Sequence, residues 1–358
     1  MRLRHSDYMH WAKTQSRARF NLATSGVASF PLAELACEPG PLESNGATPY
    51  GYAPLQQAIA RNRGVDPDCV VAAAGTSMAN HLAMAALVDP GDEVLIEHPA
   101  YELMVSAALY LGAMLKRFPR TEESGYALDP TAIRRAITPK TKLIVVTNLH
   151  NPSSALTPDS VLREIGDLAR SVGAHVIVDE VYLDAVYRNT PQTAYRLGPE
   201  FIVTSSLTKV YGLSELRCGW ILAHPDLARA MWRLNDLFGV NAAHPAELLS
   251  VAALQQLDRI RERARQVVET DRALLEKFLA AQPAFSAPRT GFGTTSFLHL
   301  RTGDVEPFLL RLRTDYETSV APGRFFEMPS HFRIGMGVNS AMFGEGLRRL
   351  GLALAVCE

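Results

Sequence analysis

Cysteine is scarce: Cys37, Cys69, Cys218 and Cys357 are the only four in a chain of 358 residues. They are scattered, with no Cys-x-x-Cys pair and no metal-like spacing. No metal is therefore expected, and the four read as free thiols in a reducing compartment. Cys69 and Cys218 lie in apolar runs and fit small core residues better than nucleophiles. Neither sign of charge dominates, since 36 Lys and Arg stand against 37 Asp and Glu, a formal net charge of −1. That balance gives no electrostatic case for nucleic acid, and no charged block suggests a tail. No run approaches the ~18 apolar residues of a membrane span. Residues 1–20 contain no apolar core long enough for a signal peptide. The expectation is a cytoplasmic protein with no membrane contact. Internal repeats and low-complexity stretches are lacking too. What remains is an ordinary globular composition, 47% hydrophobic and 20% charged, with chain enough for a large core and two domains.

What the sequence does have is alternation. Apolar strand-like runs fall at 69–74, 93–97, 111–118, 142–146, 175–178, 201–203 and 219–223. Helical stretches separate several of them, near 54–63, 78–88, 130–137 and 158–172. This pattern predicts an α/β fold with a doubly wound, mostly parallel sheet. Helices follow at 226–238 and 241–254, then a long charged one at 258–279 whose charges read as a solvated face. A strand within 291–300, a helix at 305–316, short strands and a last helix at 341–356 predict a smaller α+β domain. The expected division is an N-terminal arm and small-domain segment (1–45), a large domain (46–258) and a small C-terminal domain (259–358). Residues 1–20, basic and aromatic, read either as an amphipathic helix or arm packing on a neighbour, or as a disordered leader.

Chemistry concentrates in residues 205–220, SSLTKVYGLSELRCGW. Lys209 follows a buried strand and stands among Ser205, Ser206 and Thr208, with Arg217 eight residues on. In α/β folds such positions, beyond the carboxyl ends of strands, carry the site. An amine there can form a Schiff base with an aldehyde. Hydroxyls and a forked guanidinium can hold a phosphate. Gly75-Thr76-Ser77 opens a helix after a strand. It offers a phosphate free backbone N–H groups and the positive end of the dipole, or else it is an ordinary helix cap.

These residues resemble the class I/II aminotransferases, the fold type I pyridoxal-phosphate enzymes. Their active-site run is roughly Ser-x-x-Lys-x-x-Gly-Leu-x-x-x-Arg-x-Gly, met here by Ser206, Lys209, Gly212, Leu213, Arg217 and Gly219. The likeness extends from about Asn21 to the C-terminus. It implies pyridoxal 5′-phosphate as cofactor, a seven-stranded sheet with one antiparallel strand, and a homodimer with its sites at the interface. Lys209 would hold the cofactor as an internal aldimine and then serve as the base that moves the Cα proton. Asp179, at the end of an apolar run, would pair with the pyridine nitrogen and keep it protonated. Tyr101, in His98-Pro99-Ala100-Tyr101, would cover the ring. Asn151 and Tyr182 would reach the 3′-oxygen. The loop around Asn151 departs from the family's Asn-Pro-x-Asn-Pro-Thr-Gly at Leu149 and Ser154.

Gly75, Thr76, Ser77, Ser206 and Arg217 would hold the phosphate. Tyr50, with Tyr52 the other candidate, would reach the partner's phosphate, from an unusual spacing. At the substrate, a backbone turn at Gly26 would approach the carboxylate, unless Gly26 is only a turn glycine. Arg333, in HFRIG (331–335), would grip that carboxylate in fork geometry beside Asn151.

The implied reaction is amino-group transfer between an amino acid and a 2-keto acid. Its rivals on the same fold are a β-lyase, a decarboxylase and a racemase, because the pocket chooses the carbanion's fate. A regulatory cofactor-binding module would need a DNA-binding domain ahead of it, and twenty residues precede Asn21. No secure match exists for the second arginine of dicarboxylate-specific members. Arg17, Arg19 and Arg233 are loose possibilities, and a neutral or aromatic side chain is mildly preferred.

Overall fold

A computed structural model describes residues 5–36 and 49–355. The expected 45/46 boundary, Cys37, Cys357 and most of the Pro- and Gly-rich loop after Pro39 lie outside the described residues. The chain opens with a short helix, α1 (Asp7–Thr14), capped by Ser6, whose Oγ accepts from Met9 N. A two-residue strand, β1 (Phe20–Asn21), follows. Helix α2 (Ala53–Arg63) carries Pro54 in its first turn, where no amide proton is needed, and stops at Gly64 with φ +62°.

Then comes the predicted alternation. Strand β2 (Val70–Ala74) leads into α3 (Gly75–Ala85), and β3 (Glu93–His98) into α4 (Glu102–Tyr110). Strand β4 (Met114–Pro119) leads into α5 (Pro130–Ala136), and β5 (Thr141–Thr147) into α6 (Asp159–Val172). Strands β6 (His175–Asp179), β7 (Phe201–Ser206) and β8 (Cys218–Leu222) complete the sheet. Its order is β2-β8-β7-β6-β5-β3-β4, and only β8 runs against its neighbours. The central strands are covered on both faces, which is why they read as unbroken apolar runs. Phe201, Ile202 and Val203 have no exposed surface, and each such burial contributes about 2 kcal/mol.

Helix α4 is the element the sequence reading lacks. Its sequence, ELMVSAALY, is apolar nearly all round, so it carries little of the one-sided pattern that marks a helix. The strand expected from residue 111 begins only at Met114.

Beyond the sheet, α7 (Pro225–Asn235), α8 (His244–Leu254) and the 25-residue α9 (Leu257–Ala281) run in succession. The first turns of α9, through Leu257 and Ile260, pack on the large core, and Leu275 near its end packs on a second core. That second core is built on β9 (Phe285–Ser286), β10 (Thr295–Leu300), α10 (Val305–Thr314), β11 (Thr318–Ser319), β12 (Ala321–Pro322), β13 (His331–Gly335) and α11 (Ser340–Ala355). Four of these strands form an antiparallel sheet, β12-β13-β10-β9. Strand β1 pairs parallel with β11, so the N-terminal segment joins the C-terminal part. Among the described residues no helix is long and apolar enough to cross a membrane.

Candidate active site

The sheet sets the site. Gly75 follows β2, Tyr101 follows β3, Asn151 follows β5, Asp179 ends β6 and Ser206 ends β7. These strands are mutually parallel, so all five residues reach the same carboxyl edge. Strand β8 runs the other way, so Arg217, just before its first residue, arrives at that edge as well. A cavity of about 630 Å³ opens there. Among its walls are Thr76, Ser77, Tyr101, Asn151, Asp179, Tyr182, Lys209 and Arg217.

At one end stands a cradle of hydroxyls and amides. Thr76 Oγ1 donates to Ser206 Oγ at 2.8 Å, and Thr208 N donates to the same oxygen at 3.2 Å. Thr208 Oγ1 is buried with no partner. The first turn of α3 has no side-chain cap, since residue 74 is alanine, so its amides stay open to a ligand. Arg217 Nη2 donates to Ala74 O at 2.9 Å. Glycine is required at 75: its φ is +75°, and a Cβ there would lie 2.3 Å from Arg217 Nη2. At Gly219 a Cβ would meet the Gly75 carbonyl carbon at 2.5 Å, backbone against backbone. Residues 75–77, 206–209 and 217 therefore leave an anion-sized cradle that side chains would fill.

Lys209, also in the cavity wall, donates from Nζ to Ser25 Oγ at 3.0 Å. Asp179 Oδ2 accepts from Asn80 Nδ2 at 2.9 Å, and its Oδ1 accepts from Val181 N at 3.0 Å. Asn80 is fixed in turn by Thr204 Oγ1, which donates to Asn80 Oδ1 at 2.5 Å. Burial pushes the Asp179 carboxyl up to about 6, against the two hydrogen bonds that favour its ionised form. A buried carboxylate of this kind is poised for a cationic partner. Tyr101 and Tyr182 stand in the walls beside it. An anion cradle, an amine and a buried carboxylate in one cavity fit a phosphorylated pyridine aldehyde.

Arg333, on β13, is wholly buried and stands behind the wall of the cavity, bonded to three residues that line it, Tyr8, Ala23 and Asn151. Its Nη1 donates to Asn151 Oδ1 at 2.9 Å, and its Nη2 to Tyr8 OH at 2.9 Å and Ala23 O at 3.1 Å. Nε is buried with no partner. Gly26 lies against the main chain of Lys209: a Cβ would stand 3.2 Å from Lys209 Cα, and Val27 N donates to Lys209 O. Its neighbours Thr24 and Ser25, rather than Gly26, line the cavity. Tyr50 is 48% exposed and stands outside the cavity wall. Tyr52 packs edge-on against His244. None of Arg17, Arg19 and Arg233 lines the cavity.

Sequence reasoning misses four contributors. Tyr8 and Trp11 reach the cavity from α1, Ser25 holds Lys209, and Asn80 holds Asp179. Of the 1–20 segment, Asp7–Thr14 form a helix that packs on its own chain. Asn80 sits on α3 one turn beyond Gly75-Thr76-Ser77, and nothing in its local sequence marks it.

One cluster away from the cavity has metal-ligand chemistry: Glu122, His299 and His331. Both histidines give an N–H to the same Glu122 oxygen, at 3.0 and 3.3 Å, and their rings stack 4.4 Å apart and 9° from parallel. The cluster is a satisfied hydrogen-bonded stack.

The fold and the cavity define a fold type I pyridoxal-phosphate enzyme. A family model for aminotransferase class I and II matches residues 41–350. The chain belongs to that family. It is 29% identical to the capreomycidine synthase of Streptomyces vinaceus, over 92% of this chain and 88% of that protein. It is 25% identical to the aspartate/prephenate aminotransferase of Thermus thermophilus, over 86% of this chain and 83% of that protein. The structure of a PLP-dependent aminotransferase from Streptococcus suis 89-1591 superimposes with a TM-score of 0.94 and 26% identity, covering 100% of this chain and 99% of that one. The chain is a pyridoxal-phosphate-dependent transaminase, an enzyme that moves an amino group between an amino acid and a 2-keto acid.

Proposed function

We propose that transamination runs at the carboxyl edge of the sheet, with Lys209 and Asp179 as its chemical centre. The observation that carries this reading is their meeting in one cavity, between a phosphate-sized cradle and a wall residue, Asn151, that a buried arginine holds from behind. Gly75, Thr76, Ser77, Ser206 and Arg217 hold the cofactor's phosphate. Tyr101 covers the ring, while Asn151 and Tyr182 donate to its 3′-oxygen. Asp179 faces the ring nitrogen and keeps a proton there. Bound pyridoxal phosphate supplies an electron sink for the pair left at the substrate's Cα. Lys209 Nζ holds the cofactor covalently between turnovers. Once the substrate amine takes that place, the freed Nζ would be the base that takes the proton from Cα and gives it to the cofactor's former aldehyde carbon, across the amine nitrogen. Arg333 and Asn151 fix the substrate's carboxylate, with the chain at Gly26 closing on it.

The chain is proposed to divide at about 45 and 258, with Tyr50 reaching the partner's phosphate across a homodimer interface. Its exposure in the single chain is in keeping with that role. A cytoplasmic location belongs to the same reading.

A second reading rests on the capreomycidine synthase relative, which is named for a product and not for amino transfer. In that reading the same residues form the carbanion, and a group leaves from Cβ. The test is a panel of single amino acids with and without keto-acid acceptors. Amino transfer requires the acceptor for turnover. Sustained ammonia release without any acceptor would replace the first reading by the second.

A further inference from the structure

We propose that Tyr8 is a substrate-recognition residue whose hydroxyl shares the substrate's carboxylate with Arg333. This makes α1 a wall of its own chain's active site. The proposal rests on the reading that Arg333 binds that carboxylate.

Tyr8 has the placement for this role. It stands in the cavity wall and is only 7% exposed. Its ring is held edge-on by Tyr101 and by Phe325, each with centroids 5.5 Å away. That packing leaves the hydroxyl one position, 2.9 Å from Arg333 Nη2. A carboxylate taken by the arginine therefore lies within reach of the phenol.

The donor inventory points the same way. Nη1 of Arg333 is given to Asn151, Nη2 is shared by Tyr8 and Ala23 O, and Nε is buried without an acceptor. A fully buried guanidinium with an idle N–H is short of acceptors. Tyr8 accepts from Nη2 and still has its own proton to give. A carboxylate supplies acceptors to both at once. Burial opposes ionisation of the phenol, but the charges of Arg333 and Lys209 and the hydrogen bond from Arg333 outweigh it and hold its pKa below the ordinary tyrosine value. A more acidic phenol is a stronger donor to an anion. The competing explanation is that Tyr8 is only an aromatic peg for α1. Phenylalanine would serve that purpose equally well.

The test uses Tyr8→Phe holoenzyme and two probes. Hexanoate binding, followed by calorimetry, reads the carboxylate site without chemistry. Rapid-mixing absorbance with an amino acid, and with an amine lacking the carboxylate, separates apparent affinity from limiting rate. The expected result is about tenfold weaker hexanoate and amino-acid binding, from loss of one hydrogen bond to a charged group. The cofactor absorbance, the limiting rate and the response to the carboxylate-free amine should stay within about twofold. Three results would overturn the proposal. They are unchanged carboxylate affinity, equal loss for both substrates, and wild-type enzyme that binds no hexanoate. Failure of the transamination reading is a different outcome: wild-type absorbance then responds to no amino acid, while the hexanoate comparison still reports on Tyr8.

Discussion

Two arginines, Arg217 in the cavity wall and Arg333 behind it, are held in opposite ways. Arg217 is exposed, sits in a left-handed turn at φ +49°, and bonds the backbone at Ala74 O. Arg333 has no exposed surface, three acceptors around it, and the Phe326 ring 5.1 Å from its guanidinium carbon. The first can follow a ligand at little cost to the fold. The second is part of the interior, so whatever it binds must come to it. One end of the site is therefore soft and the other rigid, and substitutions should sort accordingly.

The largest effect is expected between the two ends. Lys209→Ala should lower the amino-transfer rate by at least about a thousandfold, since the proposed mechanism gives Lys209 both the covalent link and the proton transfer. Melting temperature should stay near wild type, because Lys209 gives only one hydrogen bond, to Ser25. Next is the direct contrast. Arg333→Met leaves Asn151 Oδ1, Tyr8 OH and Ala23 O without their donor, and should cost about 2–3 kcal/mol of stability in denaturant melts. It should also weaken amino-acid binding roughly a hundredfold. Arg217→Met should change stability by no more than about 0.5 kcal/mol, while weakening cofactor binding about tenfold or more. Equal stability losses in the two variants would break the contrast.

A third effect is smaller and reads pH. In the cofactor-free protein Asp179 stands at about 6 because it is buried, above the unfolded value of about 3.9. A raised acid favours the folded state below the unfolded value, and that contribution is lost as pH climbs to 6. Wild type should therefore lose up to about 3 kcal/mol more stability than Asp179→Asn between pH 4 and 7. Parallel stability curves for the two proteins would show that Asp179 does not titrate in this window.

The same contrast explains what could be read from the chain alone. The soft end comes from short runs at strand ends, 75–77, 206–209 and 217, where neighbours in sequence are neighbours in space. The rigid end joins residues 325, 310 and 182 positions apart, through Tyr8, Ala23 and Asn151 to Arg333. Arg333 itself lies in a recognisable stretch, but its partner Tyr8 lies in a helix whose destination only packing decides. Asn80 was illegible for a related reason, since its meaning is the Asp179 it faces across the sheet edge. The parallel strands announced themselves because burial on both faces leaves unbroken apolar runs. Helix α4, apolar nearly all round, had no such mark.

The most direct measurement is the absorbance of the purified protein with pyridoxal phosphate, before and after single amino acids, beside Lys209→Ala. A visible band should form in the wild type, bleach with at least one amino acid and return with a 2-keto acid. The variant should not show that cycle. A wild-type protein that takes up no cofactor, or a variant that cycles as well as wild type, would contradict the assignment of Lys209 and the site built around it.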